Sequence, residues 1–257
     1  MVNDGDDEPP AEPDDGVDPD DAPADADTPD AAPGTPIGSG RACDVYDLGD
    51  GTVLRRCRDE RADMTLEARV MTYVREHGYP VPEVHDVSGR DLVMEKVDGP
   101  TMMESLAQQP WKLLWHARRL ASLQRRLARI AAPDWLLAPG VDAADLGHAQ
   151  SVLHLDLHPM NVILSQRHGP MVIDWTNAAA GPAGFDAALT YVEGSAYQAD
   201  TPRDRIGQRI FVEAFRRSRG KRLLDPYIVA ACDHRLADPG TEPDERVAVA
   251  ELRARYV

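Results

Sequence analysis

Three polar side chains set between short apolar runs constrain this chain more than any other feature. In Ser151-Val-Leu-His-Leu-Asp-Leu-His-Pro-Met-Asn-Val-Ile-Leu-Ser165, Asp156 and Asn161 lie five residues apart, bracketed by Val152 and Leu153 on one side and Val162 to Leu164 on the other. Asp174 follows behind a third apolar run, Met171-Val-Ile173. Runs this short read as strands rather than helices, so the polar residues fall on loops at strand ends. Loops of this kind can present two carboxylates and an amide to one point. Singly, each Asp or Asn is more often a turn former. Jointly, in this order and with these brackets, they favour a chemical site. One carboxylate suits removal of a proton from an attacking hydroxyl, while the amide and the other carboxylate suit Mg2+ on nucleotide phosphates.

Charge has to be divided along the chain before it says anything about partners. The 257 residues carry a net charge of −16, but residues 1–40 hold thirteen Asp and Glu and no Lys or Arg. The remainder is close to neutral, at about −3, which implies neither a nucleic-acid stripe nor an acidic-partner surface. Residues 1–36, almost wholly Asp, Glu, Ala, Pro and Gly, cannot bury enough apolar surface to offset their ordering entropy and are expected to be a disordered tail. Outside it, no acidic cluster stands out that would argue for a polycationic ligand. Cys43, Cys57 and Cys232 are scattered and form no disulfide framework or zinc spacing, which fits a reducing compartment. With no signal-like or membrane-length apolar run, the expectation is a cytoplasmic protein with no membrane and no nucleic-acid partner. No feature sets the oligomeric state.

From Ile37 the pattern becomes structured. Cys43–Leu48 and Thr52–Cys57 read as strands joined at Gly49-Asp-Gly51, and Val81–Val87 and Asp91–Val97 as a second hairpin around Ser88-Gly-Arg90. Between them, Ala62, Leu66, Val70, Tyr73 and Val74 recur at helical spacing up to the stop at Gly78. This predicts a small β-rich unit over 37–97. After Gly99-Pro100 the pattern turns helical. Leu113, Ala117, Leu120, Leu127 and Ile130 make an apolar stripe, and the arginines between them make a solvated face. Residues 132–150 read as an irregular connector, and helical patterns return from Phe185. Trp111, Trp115 and Trp135 are expected in the core, the commoner fate of aromatics.

His154-Leu-Asp-Leu-His-Pro-Met-Asn161 together with Ile173-Asp-Trp175 resembles the aminoglycoside phosphotransferase/choline kinase family of the protein-kinase-like superfamily. The resemblance covers most of residues 37–190. It implies an α+β, bilobal protein-kinase-like fold, with a nucleotide-binding lobe over 37–97 and a mainly helical catalytic and acceptor-binding lobe over 98–257. It implies ATP and Mg2+ as cofactors and a small-molecule hydroxyl as acceptor. Asp156 would be the catalytic base, Asn161 and Asp174 the Mg2+ ligands, and His154 a brace within the loop. His158 would hold the loop's shape or approach the acceptor, and Asp186 would accept backbone bonds from the loop.

In the N-terminal part the resemblance assigns Gly38, Gly40 and Val45 to a glycine-rich phosphate loop, with Cys43 where the family pattern has a third Gly. Val53 would cover the adenine, and Arg55 would replace the usual Lys, paired with Glu67. Val93-Met-Glu95 would be the hinge against the adenine edge. Asp174 is followed by Trp-Thr rather than Phe-Gly, and little chain separates it from Phe185, which favours a small acceptor over a protein. Two other readings stay open: a catalytically weak nucleotide-binding scaffold, and a metal-dependent hydrolase with His154, Asp156 and His158 as ligands.

Overall fold

A computed structural model describes residues 34–40, 42–136 and 150–257. The expected disorder of residues 1–33, and most of the 132–150 connector, lie outside the described residues. Order begins slightly earlier than expected, because Thr35 and Pro36 already belong to a strand, β1 (Thr35–Ser39). That strand pairs antiparallel with β2 (Cys43–Asp47) through a bulge between Pro36 and Gly38.

The expected hairpins follow from local turn chemistry. Between β2 and β3 (Thr52–Cys57), Asp47 and Asp50 carboxylates accept from the backbone N–H groups of Gly49 and Thr52, each at 3.0 Å. Gly49 and Gly51 sit at φ of 83° and 91°, a backbone region that disfavours residues with a Cβ. β4 (Val84–Ser88) and β5 (Asp91–Glu95) form the second hairpin, and β5 inserts beside β3, giving the sheet order β1-β2-β3-β5-β4. One helix, α1 (Thr65–Glu76), contributes buried Ala68, Val70, Met71 and Val74 to the core and ends before Gly78 at φ 75°.

Two expectations fail here. Cys43 and Cys57 are directly opposed across β2 and β3, and their sulfurs are joined in a disulfide. Strand register, which sequence spacing does not reveal, brings them together, and Cys232 alone is free. The hinge expected at Val93–Glu95 is instead the last, still paired stretch of β5. Val93 and Met94 pair with β3 and β4 on both sides, and the Glu95 N–H donates to the Glu83 carbonyl at 2.8 Å. The chain crosses over just after them. Leu164 donates its N–H to the Pro100 carbonyl at 2.8 Å, and Ser165 Oγ donates to Asp98 at 3.0 Å. Gly99 has φ 121°, and a Cβ there would fall 2.5 Å from the Leu164 carbonyl oxygen, so only glycine fits the crossing.

Beyond the crossing the chain is helical. α2 (Met102–Gln108) opens with a Thr101/Glu104 capping box. α3 (Leu113–Leu127) buries Ala117, Leu120, Leu123 and Leu127 as its periodicity predicts. The short antiparallel pairs β6 (Ser151–Leu153) with β9 (Ala179–Gly181), and β7 (Val162–Ser165) with β8 (Gly169–Val172), carry the polar loops at their ends. α4 (Ala183–Ala196) is buried along most of its length and packs against α5 (Pro202–Arg219), α7 (Ile228–Ala237) and α8 (Pro243–Arg253), with the short α6 (Lys221–Leu224) between α5 and α7. Trp111 and Trp115 are not core residues. They are 75% and 47% exposed, while Trp135 is partly buried against Tyr73 and Arg69. Thiol titration of the denatured, unreduced chain should count one free cysteine; three would show that Cys43 and Cys57 are not joined.

Candidate active site

The loop after β6 is held from beneath. His154 is fully buried, its ring packed on Trp175 at 4.6 Å between centroids. His154 Nδ1 accepts the Asp156 N–H (3.2 Å), so the neutral ring carries its proton on Nε2, which donates to the Ile173 carbonyl (3.1 Å). Burial pushes its pKa down and keeps the ring uncharged. The next residue, Leu155, sits at φ 62°, an uncommon conformation for a residue with a branched side chain. Buried Asp186 at the start of α4 supports that turn by accepting from the N–H groups of His154 (3.3 Å) and Leu155 (2.8 Å). The post-loop Asp therefore stands where the resemblance put it.

Asp156 emerges from this turn with both oxygens engaged. Oδ2 accepts from Asn161 Nδ2 at 3.0 Å, and Oδ1 lies 3.2 Å from His158 Nε2. His158 Nδ1 accepts the Met160 N–H (3.3 Å), which leaves the proton of the neutral ring on Nε2, facing Asp156. Burial alone would raise the Asp156 pKa. The hydrogen bonds from His158 and Asn161 outweigh it, and the carboxyl stays below its ordinary value. Asp156 is thus an aimed, ionised carboxylate.

Asn161 and Asp174 are brought together by backbone. The Ile173 N–H donates to the Asn161 carbonyl at 3.0 Å, and Asp174 follows at φ 64°. Across the cleft, Arg55 pairs with Glu67 and donates to Asp174 Oδ1 at 2.7 Å and to Thr176 Oγ at 3.1 Å. Glu67 also accepts the Trp175 N–H (3.1 Å) and lies 3.0 Å from Thr176 Oγ. Burial raises the Glu67 pKa, and Asp174 reinforces that against the relief from Arg55. The inward Glu67 and its pairing with Arg55, which the resemblance implied, are both present.

The other N-terminal candidates share the Arg55 face. Gly38 is opposite Val45 and Val45 opposite Arg55, so the three line up across β1, β2 and β3, while Val53 is buried two residues along β3. Gly40 makes the turn, its N–H donating to the Cys43 carbonyl at 2.8 Å. Glu95 is set apart from this face. Its carboxylate pairs with His168 (3.2 Å) and accepts the Glu83 N–H (3.2 Å).

The atoms left uncommitted decide what the site can hold. Asn161 Nδ2 donates to both the carbonyl and the Oδ2 of Asp156, which turns its Oδ1 away from them. Asp174 Oδ1 takes the Arg55 and Thr176 contacts, leaving Oδ2 without a described partner. Two hard oxygen donors suit Mg2+, which binds through one or two protein oxygens and completes its shell with phosphate and water. Among the described residues, no group of three His, Cys, Asp or Glu is placed to hold a metal. With both His154 nitrogens engaged, the hydrolase ligand set does not assemble.

Sequence reasoning missed two residues. Thr176 bridges Arg55, Glu67 and Asp174, yet a Thr after Asp-Trp carries no signal of its own. Glu193 on α4 has a side chain only 9% exposed and an Oε2 with no hydrogen-bond partner. Burial raises its pKa well above the ordinary value, and the Asp156 charge adds to this. Around it stand Arg235 at 3.9 Å, and on Arg235 the carboxylates of Glu245 (2.6 Å) and Asp238 (2.9 Å). An acidic cluster outside the tail therefore exists. Glu193 lies some forty-five residues before Asp238 and Glu245 in sequence, so composition hid it.

A five-stranded sheet over a helical part, joined by a cleft lined by Arg55, Asp156, Asn161 and Asp174, defines a protein-kinase-like phosphotransferase fold. The sequence profile of the phosphotransferase enzyme family matches residues 33–150 and 98–227, and the chain belongs to that family. None of the curated proteins matches it by sequence. Among solved structures, it is similar to aminoglycoside phosphotransferase APH(4)-Ia, at 17% identity over 86% of this chain and 92% of that one, with a TM-score of 0.60. A thermostable mutant of that enzyme, in a ternary complex with AMP-PNP and hygromycin B, matches at 16% identity, with the same coverage and a TM-score of 0.59. The streptomycin-ATP-APH(2")-IIa ternary complex matches at 13% identity over 78% of this chain and 82% of that one, with a TM-score of 0.54. At these identities the likeness is one of fold.

Truncating Glu67 would strand Arg55 in the cleft without its main counter-charge. Glu67→Ala should cost about 3–5 kcal/mol in urea unfolding, and Glu67→Gln should cost less, because the amide keeps an acceptor for the Trp175 N–H. Equal stability of both variants with the parent would contradict this.

Proposed function

We propose that this phosphotransferase moves the γ-phosphate of ATP to a hydroxyl of a small molecule, with Asp156 as the base. The carrying observation is the aim of Asp156. Its two oxygens are fixed by His158 and Asn161, beside the uncommitted oxygens of Asn161 and Asp174. In this reading Asp156 orients the acceptor hydroxyl and takes its proton as the new oxygen–phosphorus bond forms and the bond from γ-phosphorus to ADP breaks. Asn161 and Asp174 would hold Mg2+, which when bound supplies positive charge to the phosphates. Arg55, fixed by Glu67, adds a second cation at the phosphate end, and Gly38 with Gly40 lets backbone approach the phosphates. Val45 and Val53 supply the apolar ceiling for the base. With Val93–Glu95 paired as the end of β5, the adenine edge falls to the backbone just past it. Catalysis of this kind is mainly positioning and charge stabilisation, so few polar groups suffice.

Glu193 supports a finer statement about the acceptor. A buried carboxyl whose Oε2 has no hydrogen-bond partner, in a cluster of three acids around one Arg235, favours an acceptor that carries an amine. The solved structures similar in fold include complexes with hygromycin B, streptomycin and gentamicin, ligands bound by those proteins.

ATP or ADP with Mg2+ should raise the melting temperature, since both would bind only the native state. Asp174→Ala should remove the Mg2+-dependent part of that rise. Asp156→Ala should keep nucleotide binding and lower phosphoryl transfer by about 10²–10⁴-fold. Nucleotide binding with no transfer to any hydroxylated compound would favour the scaffold reading, for which Cys43 in place of a loop glycine and Arg55 in place of the usual Lys are the support. No shift with any nucleotide would remove both. With an aminated acceptor in hand, Glu193→Gln should raise KM about tenfold or more and leave KM for ATP unchanged, whereas an unchanged acceptor KM would remove the amine assignment.

A further inference from the structure

The outer seam between α3 and α5 has no part in the site. The two helices run side by side in the same direction. A Cβ on Gly207 would lie 3.5 Å from Leu113 Cδ1 near their starts, and Arg125 donates to the Ser218 carbonyl at 2.6 Å near their ends. Residues next in sequence to these contacts are exposed. Leu114 lies on the α3 side and Ile206 and Ile210 on the α5 side, with Trp111 in the turn leading into α3. All four are exposed, Trp111 at 75% and Ile206 at 60%. Trp115, 47% exposed, continues the patch on α3 beneath the Arg119 guanidinium, 5.0 Å from its ring centre. A row of exposed indole, leucine and isoleucine side chains on two adjoining helices is unlike the isolated apolar residues of an ordinary surface.

The charge around it is one-sided. Of the eleven Lys and Arg in the 110–127 and 202–219 segments, Lys112, Arg118, Arg119, Arg203, Arg205 and Arg209 are exposed near this row, against one exposed acid, Asp204. Lys112, Arg118, Arg203 and Arg209 are exposed and form no ion pair among the described residues. The two acids of these segments are engaged locally, Asp204 capping α5 with Thr201 and Glu213 pairing with Arg217 and Lys221.

We propose that this seam docks the protein on an anionic bilayer surface. Apolar and indole side chains enter the headgroup boundary, and the flanking Lys and Arg meet lipid phosphates. A second copy of the chain fits less well, because a two-fold interface would set the same unpaired arginines against each other. Nucleic acid would use the cations but leave Leu114, Ile206 and Ile210 without a partner. The strongly negative remainder of the chain is repelled by the same bilayer, so docking is oriented, with this seam inward. Peripheral binding needs no spanning segment, and no described helix is long and apolar enough to cross a membrane. That is why the sequence, in which Leu114 and Ile206 are some ninety residues apart, carries no membrane signal.

The test is flotation of the full chain with vesicles of phosphatidylcholine alone and with about one-third phosphatidylglycerol. Binding to the anionic vesicles should exceed binding to the neutral ones by about tenfold and weaken as salt is raised toward 1 M. Arg118→Glu with Arg203→Glu should abolish it, and Trp111→Ala with Leu114→Ser should lower it by about tenfold, all with the parent melting temperature. Four results would each overturn the proposal. These are no flotation with either vesicle, equal flotation with both, a micromolar dimer in light scattering that the Trp111 variant dissolves, and preferential capture by RNA. None depends on nucleotide turnover, so failure here and failure of the kinase reading are separable.

Discussion

The cleft is held together by a charge arrangement centred on Arg55. Its guanidinium reaches Glu67 on α1, Asp174 at the end of β8 and Thr176 just beyond. Through Glu67 and the Trp175 N–H, the sheet region is bonded to the same turn that places Asp174. A lysine ammonium is a compact point charge, whereas the guanidinium is a planar fork that can serve two carboxylates at once. The substitution that looks like a departure from the family pattern therefore adds something a lysine would not. It ties the two halves of the molecule at the position where charge must later be managed.

Below the cleft, the same economy depends on backbone held in an uncommon conformation. Leu155 and Asp174 are the two described non-glycine residues at positive φ, and they flank the site residues. Leu155 is kept there by the Asp186 carboxylate on its N–H, and Asp174 by the pairing of Ile173 with Asn161 and His154. Local strain of this kind persists only where surrounding bonds over-determine it, and here a buried His, a buried Asp and a buried Trp do so. The precision of Asp156 is a property of that buried layer more than of Asp156 itself.

Much of this was legible in the sequence because it rests on short-range rules. The Gly49–Gly51 turn, the helix ending at Gly78, the apolar stripe of α3 and the loop carrying Asp156 and Asn161 each follow from residues within a few positions of one another. The Arg55–Glu67 pair is implied by the family resemblance, not by any local rule. What could not be read depends on register and distant packing. The joining of Cys43 to Cys57 requires knowing which residues of β2 and β3 face each other. Where the crossing begins depends on how far β5 stays paired with β3 and β4, which is through Glu95 and Met94 respectively. Glu193, Asp238 and Glu245 meet only because α4, α7 and α8 pack together, and Trp111 and Trp115 escape the core because they lie off the buried stripe of α3.

The Cys43–Cys57 link closes the β2–β3 hairpin into a covalent ring that contains the Gly49–Gly51 turn, whose tip is exposed. Exposed glycine-rich tips are where proteases cut folded chains. A cut at that tip would break the peptide chain without separating its pieces: the N-terminal fragment, with its glycine loop, would stay fastened to the strand bearing Arg55. Backbone continuity and physical attachment are thus decoupled at the one hairpin that spans the phosphate end of the cleft.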